Sequence, residues 1–296
     1  MSKSKVYFTK EITPESLIRI YDALGRELQG KICVKISTGE PGGHNFLSPD
    51  LIKGLVNKVD GTIVECLTAY RGKRNTVEAH KQTFKDHGFA DIAPCELLDE
   101  EGTMKIPIEG GKHLKGYDIV GSRMPNYKSS IILSHFKGHM AAGFGGALKN
   151  MSIGFASAAG KAWIHSSGKT ENNILMFVGF LQQDAFLESM AEACKGVIDF
   201  FKPENLCYIN VANKLSVDCD CSSHPKDPEM KDIGIFASLD PVAIDQCCYD
   251  QVINSSDEGK ASLVKRMNGR HGIHVVEEAC RLGLGSREYE LIDIDN

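Results

Sequence analysis

The apolar positions of the 296-residue chain switch repeatedly from a two-residue alternation to a recurrence every three or four. Such switching marks strands followed by helices. "KVYFT" is a short strand run, and Thr13–Pro14 then supplies an N-cap with proline at the first helical position, opening "PESLIRIYDALGREL". "KICVKIS" is the next strand, Ser48–Pro49 repeats the cap ahead of "DLIKGLVNKV", and "TIVECL" is a third strand. "TVEAHKQTFKDHG" reads as a helix stopped at Gly88. The stretch 92–127 is less regular and suggests hairpins or a β-rich insertion. "SSIILSH" is a strand with His135 at its carboxyl end. Further on, "NILMFVGFLQQDAFLESMAEACKGVIDFF" is helical, in one or two pieces, and "CYINVA" and "DIGIFAS" are buried strands. Asp240–Pro241 caps the helix "VAIDQCCYDQVIN", and "GIHVVEEACRLG" leads to a last strand, "YELIDI".

This order implies an α/β fold, a mostly parallel sheet flanked by helices. The length suits one α/β domain over residues 1–296 with an insertion near 92–127, or two lobes with the site between them. Ligands of such sheets sit beyond the carboxyl ends of the strands, where His135, the "TGEPGGHN" loop and the loop after "CYINVA" can converge. A net charge of −5 leaves no basic footprint for nucleic acid or an anionic membrane. With no apolar run of membrane length and no apolar leader, a cytoplasmic location is expected.

Chemistry concentrates in "LSHFKGHMAAGFGGALKNMSIG", residues 133–154. It is not a P-loop: "GFASAAGKA" has one residue too many and no hydroxyl after Lys161. Nor is "GFGGAL" a dinucleotide fingerprint, for it lacks the third glycine and no strand is expected to run directly into it. Gly143, Gly145 and Gly146 let the backbone approach a ligand, and a helix beginning near Ala147 favours an anion at its N-terminus. Lys149 and Asn150 would lie on its first turn, and a lysine there suits an amine nucleophile or a cofactor tether. His135, Lys137, His139 and His165 cluster around this lysine in sequence and suit proton transfer. A second cluster, "VDCDCSSHPKDPEMKD", places Cys219 and Cys221 where they can share a soft metal ion. A four-ligand zinc site or a self-contained ferredoxin module has no further cysteine run to build it. In "SLDPVAIDQCCYDQ", Asp240 reads as an N-cap, Asp245 as facing either site or solvent, and Cys247 and Cys248 as half-buried. The other six cysteines read as small buried hydrophobes.

The segment from Ser134 to Ser166, then "DCDC", "DIGIFASLDPVAIDQCCYD" and "GLGSREYELI", together resemble the family catalogued as domain of unknown function 362. Many members of that family carry an inserted ferredoxin-type module, which this chain lacks: "SSGKTENNILMFVGF" follows His165 directly. A more distant resemblance is to lactate racemase-type enzymes, which use a nickel pincer nucleotide and carry H-x-x-A-G-[FY]-x-G-G-x-K, then glycine, then histidine. His139, Ala142, Gly143, Phe144, Lys149, Gly154 and His165 follow that pattern, with the double glycine displaced by one place to Gly145–Gly146. That resemblance implies a cofactor tether at Lys149, a metal ligand at His165 and a proton-transferring His139. Its second acid–base histidine has only His44 and His80 as candidates, and its arginine-bearing substrate motif is absent from "ISTGEPGGHNFLSPD".

The expectation is therefore an enzyme acting on a small anionic molecule by racemase- or isomerase-like proton or hydride transfer. His135, His139, Lys149 and His165 are the catalytic candidates. Lys137, Gly143, Gly145, Gly146, Lys149 and Asn150 are the cofactor-binding candidates, with His165, Cys219 and Cys221 for a metal. The cofactor would be a metal ion or cluster, or a nickel-pincer-like nucleotide on Lys149. Two alternatives are an iron–sulfur or redox accessory protein with a ferredoxin-type partner, and a non-catalytic phosphate-binding module.

Overall fold

The computed structural model describes residues 3–175 and 182–296. Its main element is an eight-stranded sheet in the order β12-β1-β11-β10-β7-β2-β3-β4. The strands are β1 (Ser4–Thr9), β2 (Ile32–Lys35), β3 (Thr62–Glu65), β4 (Cys95–Leu97), β7 (Ser129–His135), β10 (Leu206–Ala212), β11 (Gly234–Ser238) and β12 (Tyr289–Asp293). Only β11 runs against its neighbours; every other pairing in this sheet is parallel. An α/β fold with a mostly parallel sheet flanked by helices is what the period switching implied.

Alternate residues of the central strands feed two cores. Ile131 and Leu133 of β7 and Ile209 and Val211 of β10 point into one, which they share with Leu17 and Ile20 of α1 (Pro14–Ala23) and Ile52 and Leu55 of α2 (Pro49–Lys58). Ile132 and Tyr208 point into the other, packed by α4 (Ala147–Phe155), α6 (Gln183–Phe201), α7 (Pro241–Asn254) and α9 (His274–Arg281). Burial on both faces is why these strands read as apolar runs rather than alternating ones. The helix starts follow the cap residues: Thr13, Asp240 and, ahead of α3 (Val77–Asp86), Thr76 each accept from a backbone N–H of the first turn.

Residues 92–127 give β4 to the main sheet, then the antiparallel pair β5 (Thr103–Pro107) and β6 (Tyr117–Gly121). A second small pair, β8 (Lys137–His139) and β9 (Gly143–Gly145), follows β7, and β9 runs directly into α4. The strand β9 is the first half of "GFGGAL" itself, and a turn over residues 140–142 precedes it, so no strand runs into that motif. The helix α5 (Ala158–His165) was not foreseen, since its glycine and alanines give no apolar stripe. Cys247 and Cys248 are fully buried rather than half-buried, because α7 is enclosed on both sides. The first part of the expected long helix falls on residues 176–181, outside the described residues; its remainder is α6.

Candidate functional site

Three adjacent parallel strands, β3, β2 and β7, end on Glu65, Lys35 and His135, and these three line one cavity of about 460 Å³. That volume suits a small organic ligand. The wall also includes Lys137, His139, Gly145, Gly146, Lys149, Asn150, His165, Cys219 and Cys221. Of the catalytic, cofactor-binding and metal candidates, Gly143 alone is not on this wall. Its φ is +81°, and a Cβ there would come within 2.9 Å of Gly272 and 3.0 Å of the Met267 carbonyl, so it serves a turn and a close backbone approach.

Hydrogen bonding separates scaffold from exposed chemistry. His135 Nδ1 faces Asp220 Oδ1 at 2.9 Å and Nε2 faces the Asn213 carbonyl at 2.7 Å, which leaves neither nitrogen for a ligand. Lys137 Nζ lies 2.7 Å from Asp220 Oδ2 and donates to the His135 carbonyl at 2.9 Å. Burial opposes the Lys137 charge, but Asp220 beside it raises the lysine above its ordinary pKa. These two residues therefore anchor the Cys219–Cys221 loop to β7. Both line the cavity, with their polar side-chain atoms engaged inside the fold. Asn150 Nδ2 is likewise engaged by the Lys35 and Leu133 carbonyls, at 2.9 and 3.1 Å, which ties α4 to the strand ends.

The N-terminus of α4 already holds an anion. Asp245, from α7, accepts from Ala147 N at 2.8 Å and Leu148 N at 2.9 Å, and from Asn210 Nδ2 at 2.7 Å. A Cβ on Gly146 would lie 2.3 Å from Asp245 Oδ1, so that glycine admits this carboxylate rather than an external ligand's. The expected anion cradle is thus filled from inside the fold, and Asp245 faces neither site nor solvent.

What remains toward the cavity is a compact reactive group. The ligand atoms of His139, Cys219 and Cys221 lie within 4.8 Å of one another, a candidate group for a metal ion. Gly138 makes this possible: a Cβ there would sit 2.3 Å from the Val217 carbonyl, so β8 and the thiol loop touch backbone to backbone. The Cys219 thiol is pulled well below its ordinary pKa, first by the Cys221 side chain hydrogen-bonded to it and then by His139 and Lys149. The Cys221 N–H also donates to Cys219 Sγ at 3.3 Å.

His139 and His165 hold opposite tautomers. His139 Nδ1 accepts from Ala141 N at 3.1 Å and Ala142 N at 3.0 Å, so a neutral ring keeps its proton on Nε2. Burial, then Lys149, pushes its pKa down to about 4. His165 Nδ1 instead donates to the Lys161 carbonyl at 2.7 Å, so its Nε2 carries the lone pair, and burial pushes its pKa down to about 3. That is the arrangement of a metal-ligating histidine, whereas His139 is arranged as a hydrogen-bond donor. The Lys149 ammonium, on the first turn of α4, has no hydrogen-bond or ion-pair partner among the described residues.

Sequence reasoning missed Lys35, Glu65, Arg74 and Lys161. Arg74 is buried between Glu65, at 3.0 Å, and Glu40, at 3.1 Å, and His80 Nε2 meets Glu65 at 2.9 Å. His80 is therefore a buried hydrogen-bond partner of Glu65, and His44 an exposed one facing Asp227 at 3.0 Å; neither lines the cavity. The one available signal was position: Lys35 and Glu65 are the last residues of adjacent strands.

Among the described residues no helix is long and apolar enough to cross a membrane. A family model described as "Domain of unknown function (DUF362)" matches residues 32–250, and the chain belongs to that family. No curated protein matches the sequence. Among solved structures, the lactate racemase apoprotein from Thermoanaerobacterium thermosaccharolyticum is similar at 16% identity and a TM-score of 0.46, covering 82% of this chain and 56% of that one. A structural-genomics protein from Thermotoga maritima is similar at 12% identity and a TM-score of 0.44, covering 91% and 57%. The chain spans a little over half the length of each.

Proposed function

We propose, taking membership of that family as the premise, that the chain is an enzyme transferring a proton on a small anionic metabolite. The observation that carries this reading is the meeting of a donor-tautomer His139, an activated Cys219 and an unpartnered Lys149 on one cavity wall. Lys149 would hold the ligand's anionic group, or tether a nucleotide cofactor, and His139 Nε2–H would deliver and recover the proton. The donor set fits a soft cation: Cys219 supplies a thiolate, the neighbouring Cys221 is held as a thiol until a cation displaces its proton, and His165 keeps its proton on Nδ1. Bound there, such a cation would supply Lewis acidity toward the ligand. His139 would then orient the ligand rather than ligate, because its two backbone donors fix the proton on Nε2.

The test is an inventory of anaerobically purified protein by elemental analysis and intact mass. Expected are a soft metal that Cys219→Ser abolishes, and any covalent adduct lost in Lys149→Ala. Metal-free, adduct-free protein whose ligand affinity survives Lys149→Ala would refute the reading. The redox-accessory alternative, with a ferredoxin-type partner, is supported by the same Cys-x-Cys pair. A four-thiolate cluster lacks support, since no third cysteine joins that group among the described residues. The phosphate-module alternative loses its main support because Asp245 fills the α4 N-terminus.

A further inference from the structure

Two lysines on the cavity wall, Lys35 buried and Lys161 half-buried, are used by nothing described so far. Lys35, at the carboxyl end of β2, is 2% exposed. Its ammonium donates to one acceptor, the carbonyl of its own neighbour Ile36. Lys161, on α5, donates to the Ala156 carbonyl at 2.6 Å. Among the described residues neither has a carboxylate within ion-pairing distance, although an ammonium has three hydrogens to place. Arg74, the nearby guanidinium, is already committed to Glu40 and Glu65. Glu65 and Asp99 act on these ammonium groups only from beyond ion-pairing distance, and Glu65 is already engaged by Arg74 and His80, so ammonium hydrogens are left for a partner from outside the chain.

A second feature points the same way. Gly154 lies inside α4, where glycine weakens a helix, and a Cβ there would fall 2.4 Å from Lys35 Cε and 2.8 Å from Lys35 Nζ. The helix thus gives up a side chain to let this ammonium lie against it. Burial pushes Lys35 down to about 8; Glu65 and Cys66 oppose that shift, and the like charge of Lys161 adds to it.

We infer that Lys35 and Lys161 form an oxyanion subsite that binds the phosphate group of a small phosphomonoester. Two ammonium groups match the two negative charges of that group, which a single carboxylate would leave half-neutralised. The cavity, about 460 Å³, has room for the organic part, which would extend toward His139 and Cys219. This inference rests on the proposed reading only in taking the cavity as a ligand site; it requires neither the metal nor the proton transfer.

The experiment measures binding of glycerol phosphate, inorganic phosphate and acetate to the full chain by calorimetry, in wild type, Lys35→Met and Lys161→Met. Expected are tighter binding of glycerol phosphate than of inorganic phosphate and negligible binding of acetate. Affinity should fall at least tenfold in each Met variant. Thermal unfolding without ligand separates binding from folding: removing an unpaired buried charge should leave the melting temperature unchanged or raised. Acetate binding as tightly as inorganic phosphate, inorganic phosphate binding as tightly as the ester, or Met variants with wild-type affinity would overturn the assignment. So would Met variants that melt well below wild type. A chain that fails the metal and adduct inventory yet binds glycerol phosphate through Lys35 and Lys161 would refute the proposed reaction and leave this subsite standing.

Discussion

Replacing Asp220 by alanine should unfasten the thiol loop, and the structure sets the size of the effect. The carboxylate is almost fully buried, 2.7 Å from Lys137 Nζ and 2.9 Å from His135 Nδ1, both themselves buried. Removing one member of such a group leaves buried charge uncompensated, at a cost of about 3–5 kcal/mol. Against a total stability of about 5–15 kcal/mol this is a large fraction, and it should lower the melting temperature by roughly 10 °C. Urea denaturation reads it directly through Trp163, the only tryptophan, which is buried and stacked on Tyr117 at 5.1 Å. Acid gives an independent check. Burial alone would raise the Asp220 carboxyl, but His135 and Lys137 beside it hold its pKa well below the usual range. A depressed folded-state pKa gives stability that is present above the unfolded value of about 4 and lost as pH falls through the folded one. The gap between wild type and variant should therefore be constant from neutral pH down to about 5 and close progressively below about 4. A loss under about 1 kcal/mol at neutral pH, the size of an exposed pair, would refute the reasoning, as would a gap that persists in strong acid.

Asp245→Ala removes the acceptor of two α4 amides and Asn210, and should cost about 3 kcal/mol or more in equilibrium unfolding. Burial raises the Asp245 pKa to about 6, so wild type loses stability as pH climbs from about 4 through 6, and the variant should lack that decline. Ultraviolet titration of metal-free protein should show one thiolate at neutral pH that disappears in Cys219→Ser. In His139→Gln the same thiolate should form only at higher pH, since one of its stabilising neighbours is gone.

Local signals were legible and cross-chain ones were not. Thr13, Thr76 and Asp240 announce their helices because a cap acts within three residues, and β7 announces itself because both its faces are buried. His139, Lys149, His165, Cys219 and Cys221 were visible as chemistry out of place in apolar surroundings. By contrast, whether Lys35 in "KICVKIS" points to solvent or cavity depends on α4 crossing the strand end, which no window of that segment contains. Asp245 is 98 residues from the amide it caps, and Arg74 is 34 from Glu40. The partners of His135 were hidden for the same reason: Asn213 and Asp220 lie 78 and 85 residues away.

The segment Cys219-Asp220-Cys221 interleaves two jobs at single-residue spacing: its outer members face the cavity while the middle one grips His135 and Lys137. Fastening and reactivity are therefore inherited separately. Exchanging either sulfur for serine leaves the contacts of Asp220 with His135 and Lys137 untouched, so the donor set and the fastening can be altered one at a time.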